Sequence, residues 1–263
     1  MTDRDFWDSQ YRFSRILPGF EEALCTMAGQ SADFAENVRL VRSEYGTHPR
    51  QWVEWCDGMG PKDVLPVVLH GGYWRALEAE THRFLMRSLQ PHGAVVANVE
   101  YRLMPDIRLA DVVADAKAAL HHLAAEFPEV QLLPVGHSAG AHLALCAMAD
   151  SALITRTRGI IALSGVYDLV PVAWSFLQDE IHLTVQEIES FSLKAETPRP
   201  PVVYVNGSEE TYEFLRGGAL MSRGSKAVWH WIDGANHMSL TWMAAAEMAT
   251  LVSKILVMED RGG

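Results

Sequence analysis

From about residue 64 onward the chain alternates between two hydrophobic patterns. Short, nearly unbroken apolar runs recur at Val64–Leu69, Ala94–Val99, Val130–Val135, Gly159–Ser164, Pro201–Asn206 and Lys226–Ile232. Such runs read as strands of a parallel sheet, because a sheet covered on both faces has no place for polar residues at every second position. Between them lie longer stretches with helical spacing, Leu109 to Phe127 and the closing segment Ser239 to Met258. Strand–helix alternation predicts an α/β architecture, a mostly parallel sheet with helices on both faces. The pattern differs in two places. Residues 7–35 read as helical and are followed by strand-like segments at Val38–Val41 and Gln51–Trp55; residues 170–192 carry Trp174, Phe176, Leu177 and Ile181 without strand or long-helix periodicity. Both read as parts of a small helical cap. With no repeat, low-complexity tract or linker, residues 1–263 read as a single domain.

One junction in this pattern carries chemistry. Between the run ending at Val135 and the small-residue stretch Ala141–Met148 stands Gly136-His137-Ser138-Ala139-Gly140. G-x-S-x-G between a strand and a helix is a nucleophile elbow, a sharp turn that lifts a serine hydroxyl clear of the backbone. The five-residue pattern alone is weak, so the other parts of an acyl-transfer site must be found in the right order.

Three are present. His70-Gly71-Gly72-Tyr73-Trp74 directly follows the run ending at Leu69, and its bare glycine backbone can point amides at a developing oxyanion; the Ala139 amide would add a donor. After the last strand-like run comes Asp233-Gly234-Ala235-Asn236-His237, which makes His237 the candidate base. His70 reads as an organiser of its loop, since the hydrolase order places the base last. The preceding loop, Asn206–Glu213, offers Glu209, Glu210 and Glu213, one of which would hold the His237 Nδ1–H. By position Glu209 and Glu210 are nearly equal candidates, and Asp168, after an earlier strand, is a weaker one.

Composition narrows the class. The chain is 49% hydrophobic and 21% charged, ordinary for a globular enzyme, and its net charge of −11 speaks against nucleic acid and against anionic membranes. No apolar signal region opens the sequence, and the three cysteines, Cys25, Cys56 and Cys146, are odd in number and unpatterned, which suits a reducing cytoplasm. No histidine pair has zinc-ligand spacing, so neither a metal nor another cofactor is expected.

With these residues assembled, the chain resembles the kynurenine formamidase (arylformamidase) branch of the hormone-sensitive-lipase-like α/β hydrolases. The resemblance rests on His70–Trp74 as H-G-G-x-W, on Gly136–Gly140, on Tyr101-Arg102-Leu103-Met104-Pro105, on Tyr45–Gln51, and on Tyr11 with Pro18-Gly19-Phe20. It implies Glu210 as the acid, because Thr211-Tyr212-Glu213-Phe214 follows it as in the family, although the family usually carries Asp there. The resemblance implies a triad of Ser138, Glu210 and His237, with Gly71, Gly72 and Ala139 as oxyanion donors. It further implies cleavage of N-formylkynurenine to kynurenine and formate, a step of tryptophan catabolism. Tyr73, Trp74, Trp174 and Phe176 are candidate walls for an aromatic ring. A small-ester carboxylesterase uses the same parts, and a non-catalytic binding protein of the same fold is a third reading. A homodimer enters only through the resemblance.

Overall fold

The computed structural model describes residues 3–197 and 199–260. Eight strands form one sheet: β1 (Val41–Glu44), β2 (Trp52–Asp57), β3 (Val64–Leu69), β4 (Val95–Val99), β5 (Gln131–His137), β6 (Ile160–Leu163), β7 (Val202–Gly207) and β8 (Ala227–Ile232). Their order is β1-β2-β4-β3-β5-β6-β7-β8, and only β2 runs against its neighbours. This is the mostly parallel α/β architecture expected from the chain's alternation.

Each buried strand divides its side chains between two helical layers. Leu65, Val67 and Leu69 of β3 meet one core with the helices Leu109–Glu126 and Ala139–Ala147. Val64 and Val68 meet the other, with Phe20–Asn37, Arg83–Leu89 and the closing helices. β6 and β7 divide likewise, Ile160 and Tyr204 to the first core, Ile161 and Val203 to the second. Fully burying such a side chain stabilises the fold by about 1.5–3 kcal/mol, which is why the runs are so nearly apolar.

Register brings the candidate loops together. Leu69 pairs with Gly136, His137 with Leu163, Leu163 with Val205, and Gly207 with Ile232. The residues after β3, β5, β6, β7 and β8 therefore crowd one edge, the carboxyl ends of the parallel strands, where ligands bind in open α/β sheets.

Three expectations need correction. The first strand begins at Val41, because Val38 caps the long helix that ends at Asn37 and the two residues after it connect helix to strand. The helical stretch at 7–35 is three helices, Asp3–Tyr11, Phe13–Ile16 and Phe20–Asn37; Pro18-Gly19 interrupts it, with Gly19 at φ 75°. The closing helix is two, Leu240–Ala246 and Met248–Asp260, bent by 72°. The segment from 170 to 192 is helical, as Leu169–Trp174, Gln178–Ile181 and Val185–Phe191. No single helix among the described residues is long and apolar enough to cross a membrane.

Candidate active site

Ser138 sits at the apex of the turn from β5 into the helix Ala139–Ala147, at φ 54° and ψ −117°. That conformation is strained for a residue with a side chain and persists only where its surroundings over-determine it, at a cost of about 1–3 kcal/mol. The surroundings are explicit. The Ser138 amide donates to Leu163 O at 2.8 Å. A Cβ on Gly136 would fall 2.4 Å from the Ala141 nitrogen, and one on Gly140 would fall 2.1 Å from Leu69 O. Both motif glycines are therefore demanded by close backbone approach, and Gly140 locks the elbow against the end of β3.

His237 reaches the same place from the loop after β8. Its Nδ1 lies 3.2 Å from Glu210 Oε2 and 3.2 Å from Ser164 Oγ. Glu210 is buried at the end of β7, whereas Glu209 is exposed. The other acids are engaged elsewhere: Arg216 holds Glu213 at 2.8 Å and Asp168 at 2.8 Å. The structure thus brings Glu210 alone of the four candidate acids to His237. Ser138 and His237 line one cleft, with no hydrogen bond joining the Ser138 hydroxyl to the imidazole among the described residues. Unliganded hydrolase sites are often this loose.

The His237 ring is enclosed by groups the sequence did not announce. Phe13 stacks on it at 4.1 Å and 19°, and Phe214 packs against it at 4.4 Å. His137, the variable residue of the elbow motif, bonds through Nε2 to His237 O at 3.1 Å. Burial, then the neighbouring His237 and His82, pulls the His137 pKa well below its ordinary value, so its ring is neutral. A neutral ring that donates from Nε2 leaves Nδ1 as an acceptor without a partner. The motif named this position only as x, so its role was invisible in the sequence.

The loop after β3 departs from expectation in one respect. The Gly71 amide turns to His82 Nε2 at 3.4 Å and Gly71 does not line the cleft. The amides of Gly72, Tyr73 and Ala139 have no hydrogen-bond acceptor among the described residues, and Gly72 and Tyr73 do line the cleft. Gly72 stands at φ 108°, where a Cβ would fall 2.0 Å from Ala76 O, and Tyr73 at φ 52° carries the tight turn onward. Gly72 and Tyr73 thus present free amides on the cleft wall, and the Ala139 amide beside Ser138 is free as well, whereas the Gly71 amide is turned to His82. His70 organises this loop from behind: it stacks on Tyr101 at 4.0 Å, and the Tyr101 hydroxyl donates to His70 O at 2.7 Å. Its imidazole, fully buried, is held well below its usual pKa, first by desolvation.

The cleft has a volume of about 380 Å³. Tyr11, Phe13, Phe20, Tyr73 and Phe176 are its aromatic walls, and Ser138 and His237 line it beside them. Two expected walls are elsewhere. Trp74 is fully buried, edge-on to His142 at 5.0 Å, because the turn at Tyr73 directs the next side chain into the core. Trp174 is 52% exposed at the end of its helix and packs on Trp7 at 5.0 Å. No group of three or more His, Cys, Asp or Glu residues among those described could hold a metal ion.

A sheet of this order, with an elbow serine and a histidine at its carboxyl edge, defines an α/β hydrolase. A family model for the alpha/beta hydrolase fold matches residues 66–206, more than half the chain, and the chain belongs to that family. Among individual proteins, it is similar to kynurenine formamidases: 25% identical over 215 residues to that of Danio rerio, covering 75% of this chain and 73% of that protein. The match to the Salmo salar kynurenine formamidase, 29% identical over 125 residues, spans 46% of this chain and 42% of the relative. It is also similar to the isoprenylcysteine alpha-carbonyl methylesterase of Arabidopsis thaliana, at 26% over 269 residues, 86% of this chain and 61% of the relative. A crystal structure from silicibacter sp. tm1040, provisionally assigned as a thioesterase, superposes with a TM-score of 0.85 at 21% identity, covering 94% of this chain and 98% of that one. These relatives agree with the resemblance read from the motifs, and they support a hydrolase.

Proposed function

We propose that this hydrolase cleaves a small aromatic N-formyl amide, N-formylkynurenine, to kynurenine and formate. The observation that carries the reading is the cleft itself: about 380 Å³, walled by aromatic rings, with Ser138 and His237 beside them. That volume is near the lower limit for small-molecule sites and suits an aryl group joined to the smallest acyl group. Ser138 Oγ attacks the formyl carbon as its proton passes to His237 Nε2. Glu210 fixes the imidazole tautomer through Nδ1 and stabilises the imidazolium. The amides of Gly72, Tyr73 and Ala139 take the negative charge on the formyl oxygen. The C–N bond then breaks, His237 returns its proton to the departing aniline nitrogen, and water releases formate from Ser138.

A second reading, hydrolysis of a small carboxylic ester, has its own support in the methylesterase relatives, of which the Arabidopsis thaliana enzyme aligns over 86% of the chain against 75% for the Danio rerio formamidase. Parallel kinetics separate the two. The proposal expects kcat/KM for N-formylkynurenine to exceed that for p-nitrophenyl acetate and butyrate; a clear preference for the esters defeats it.

A further inference from the structure

We infer that the mouth of the cleft holds a subsite for a carboxylate on the substrate, formed by Arg12 and Arg75. This deepens the formamidase reading and rests on it for the identity of the substrate. Apart from the ring nitrogens and hydroxyls near Ser138, three charged side chains line the cleft: Arg12, Arg75 and Glu180. They come from three segments, the N-terminal helices, the turn after β3 and the helix Gln178–Ile181. Their convergence on one opening is a product of the fold and could not be read from sequence spacing.

Neither guanidinium is saturated. Arg75 Nε approaches Glu180 Oε2 at 2.7 Å as an ion pair without hydrogen-bond geometry, and its two terminal nitrogens have no partner among the described residues. Arg12 reaches Asp8 only through Nη2, at 3.3 Å, while its Nε is buried without an acceptor. Asp8 is itself committed, accepting the Phe176 amide at 2.6 Å, so it serves the cap as well as Arg12. The Arg12 guanidinium carbon lies over the Phe176 ring, 4.1 Å from its centroid, which holds the group at the cleft wall. A flat, held guanidinium with free N–H groups is preorganised for a carboxylate, whose two oxygens match the fork. A buried Nε–H without a partner costs free energy that an incoming oxygen would recover.

The charges also define a polarity. Two cations and one carboxylate suit a ligand bearing both an anion and a cation, with the carboxylate on Arg12 and Arg75 and an ammonium beside Glu180. That is the chemistry of an α-amino acid. An arylformamide carrying an amino-acid tail could place its ring between Phe13 and Phe176, its formyl carbon at Ser138 and its tail at the mouth.

The test compares kynurenine with kynuramine, the same molecule lacking the carboxylate, as competitive inhibitors of p-nitrophenyl acetate hydrolysis. It does not require that formamides be cleaved, so the subsite and the formamidase reading fail separately. Kynurenine should bind at least about 10-fold tighter than kynuramine. Arg75→Gln should bring that ratio towards one, and Arg12→Gln should reduce it in part. The ratio is read within each variant, so a general loss of activity or folding cancels. Raising salt should weaken kynurenine and leave kynuramine nearly unchanged. Equal inhibition constants in the parent protein, or a ratio that survives both substitutions, overturns the subsite. In a second arm, N-formylkynurenine should exceed N-formylkynuramine in kcat/KM by a similar factor, mainly through KM. Cleavage of both at equal rates would leave the formamidase reading standing and remove the subsite.

Discussion

The elbow side of the site and the cap side are held by opposite means. On the elbow side the constraints are backbone. The Ser138 amide bonds to Leu163 O, the Ser164 amide to Val205 O at 2.8 Å, and the Glu209 amide to Ala235 O at 2.9 Å, so each loop is tied to the next across the sheet edge. The cap is held by side chains: the half-exposed pair Arg75–Glu180, the exposed pair Arg4–Asp179, the Tyr73 hydroxyl on Tyr11 O at 2.9 Å, and aromatic contacts. Exposed ion pairs of this kind contribute at most about 1 kcal/mol each. The difference teaches a division of labour. Groups that must meet at fixed distances stand on backbone that cannot shift, and groups that choose a ligand stand on elements that tolerate exchange.

The largest expected effect breaks the elbow side at its apex. Ser138→Ala should remove hydrolysis of both an ester and an aryl formamide, by about 10³-fold or more in kcat, while the thermal midpoint stays the same or rises as strain is relieved. Unchanged turnover would move the nucleophile elsewhere. Next comes the acid. Glu210→Gln should lower kcat by about 10²–10⁴-fold, because an amide cannot hold the tautomer or stabilise the imidazolium, whereas exposed Glu209→Gln should change it by less than about twofold. The reverse ranking would reassign the acid and undo the distinction drawn from burial.

A smaller effect probes the joint between the two sides. His142 lies on the elbow helix and bonds through Nε2 to Phe191 O, at the end of the cap, at 2.9 Å. Burial pushes its pKa down to about 4 from its ordinary 6.5, with the Phe191 carbonyl opposing. Below pH 6.5 the unfolded chain takes up a proton that the folded protein refuses. The stabilising contribution is therefore complete above pH 6.5 and is lost progressively as pH falls towards 4. His142→Gln removes this site, so its loss of unfolding free energy between pH 7 and 5 should be smaller than the parent's by roughly 2 kcal/mol. Denaturant titrations at the two pH values measure it; equal losses would mean that His142 is not held neutral.

How much was legible follows the same division. Parallel strands announce themselves because both faces are buried, and the Ser138 elbow and the His237 loop were found because backbone geometry demands glycine beside them. Glu210 needed the family pattern, since Glu209 stands next to it and only the fold decides which is buried. The turn of the Gly71 amide towards His82 has the same origin: H-G-G marks a bare backbone but not the direction of each amide. The walls were least legible. Trp74 and Trp174 look like ring-binding residues, yet one turns into the core and the other outward, while the adjacent Arg12 and Phe13 join Arg75 from a segment far away in sequence with no motif to mark them. The 7–35 stretch read as plain helix because its interruptions matter only in three dimensions, where they deliver Phe13 to His237.

Phe13 is the place where the cap intrudes on the chemistry, and it sharpens the comparison most finely. It is 5% exposed, stacked on His237, and borne on a four-residue helix outside the sheet. If the cap only selects ligands, changing it should alter KM. The stack argues otherwise, because a ring parallel to the imidazole at 4.1 Å limits its rotation and shields it from water. Phe13→Leu keeps an apolar side chain but loses the stack, so kcat on p-nitrophenyl acetate should fall about 10-fold, or ~1.4 kcal/mol of barrier, with KM changed less than threefold. Phe13→Tyr, which retains the ring, should recover most of the rate. A change confined to KM would return Phe13 to the cap's role and leave His237 positioned by Glu210, Ser164, His137 and Phe214.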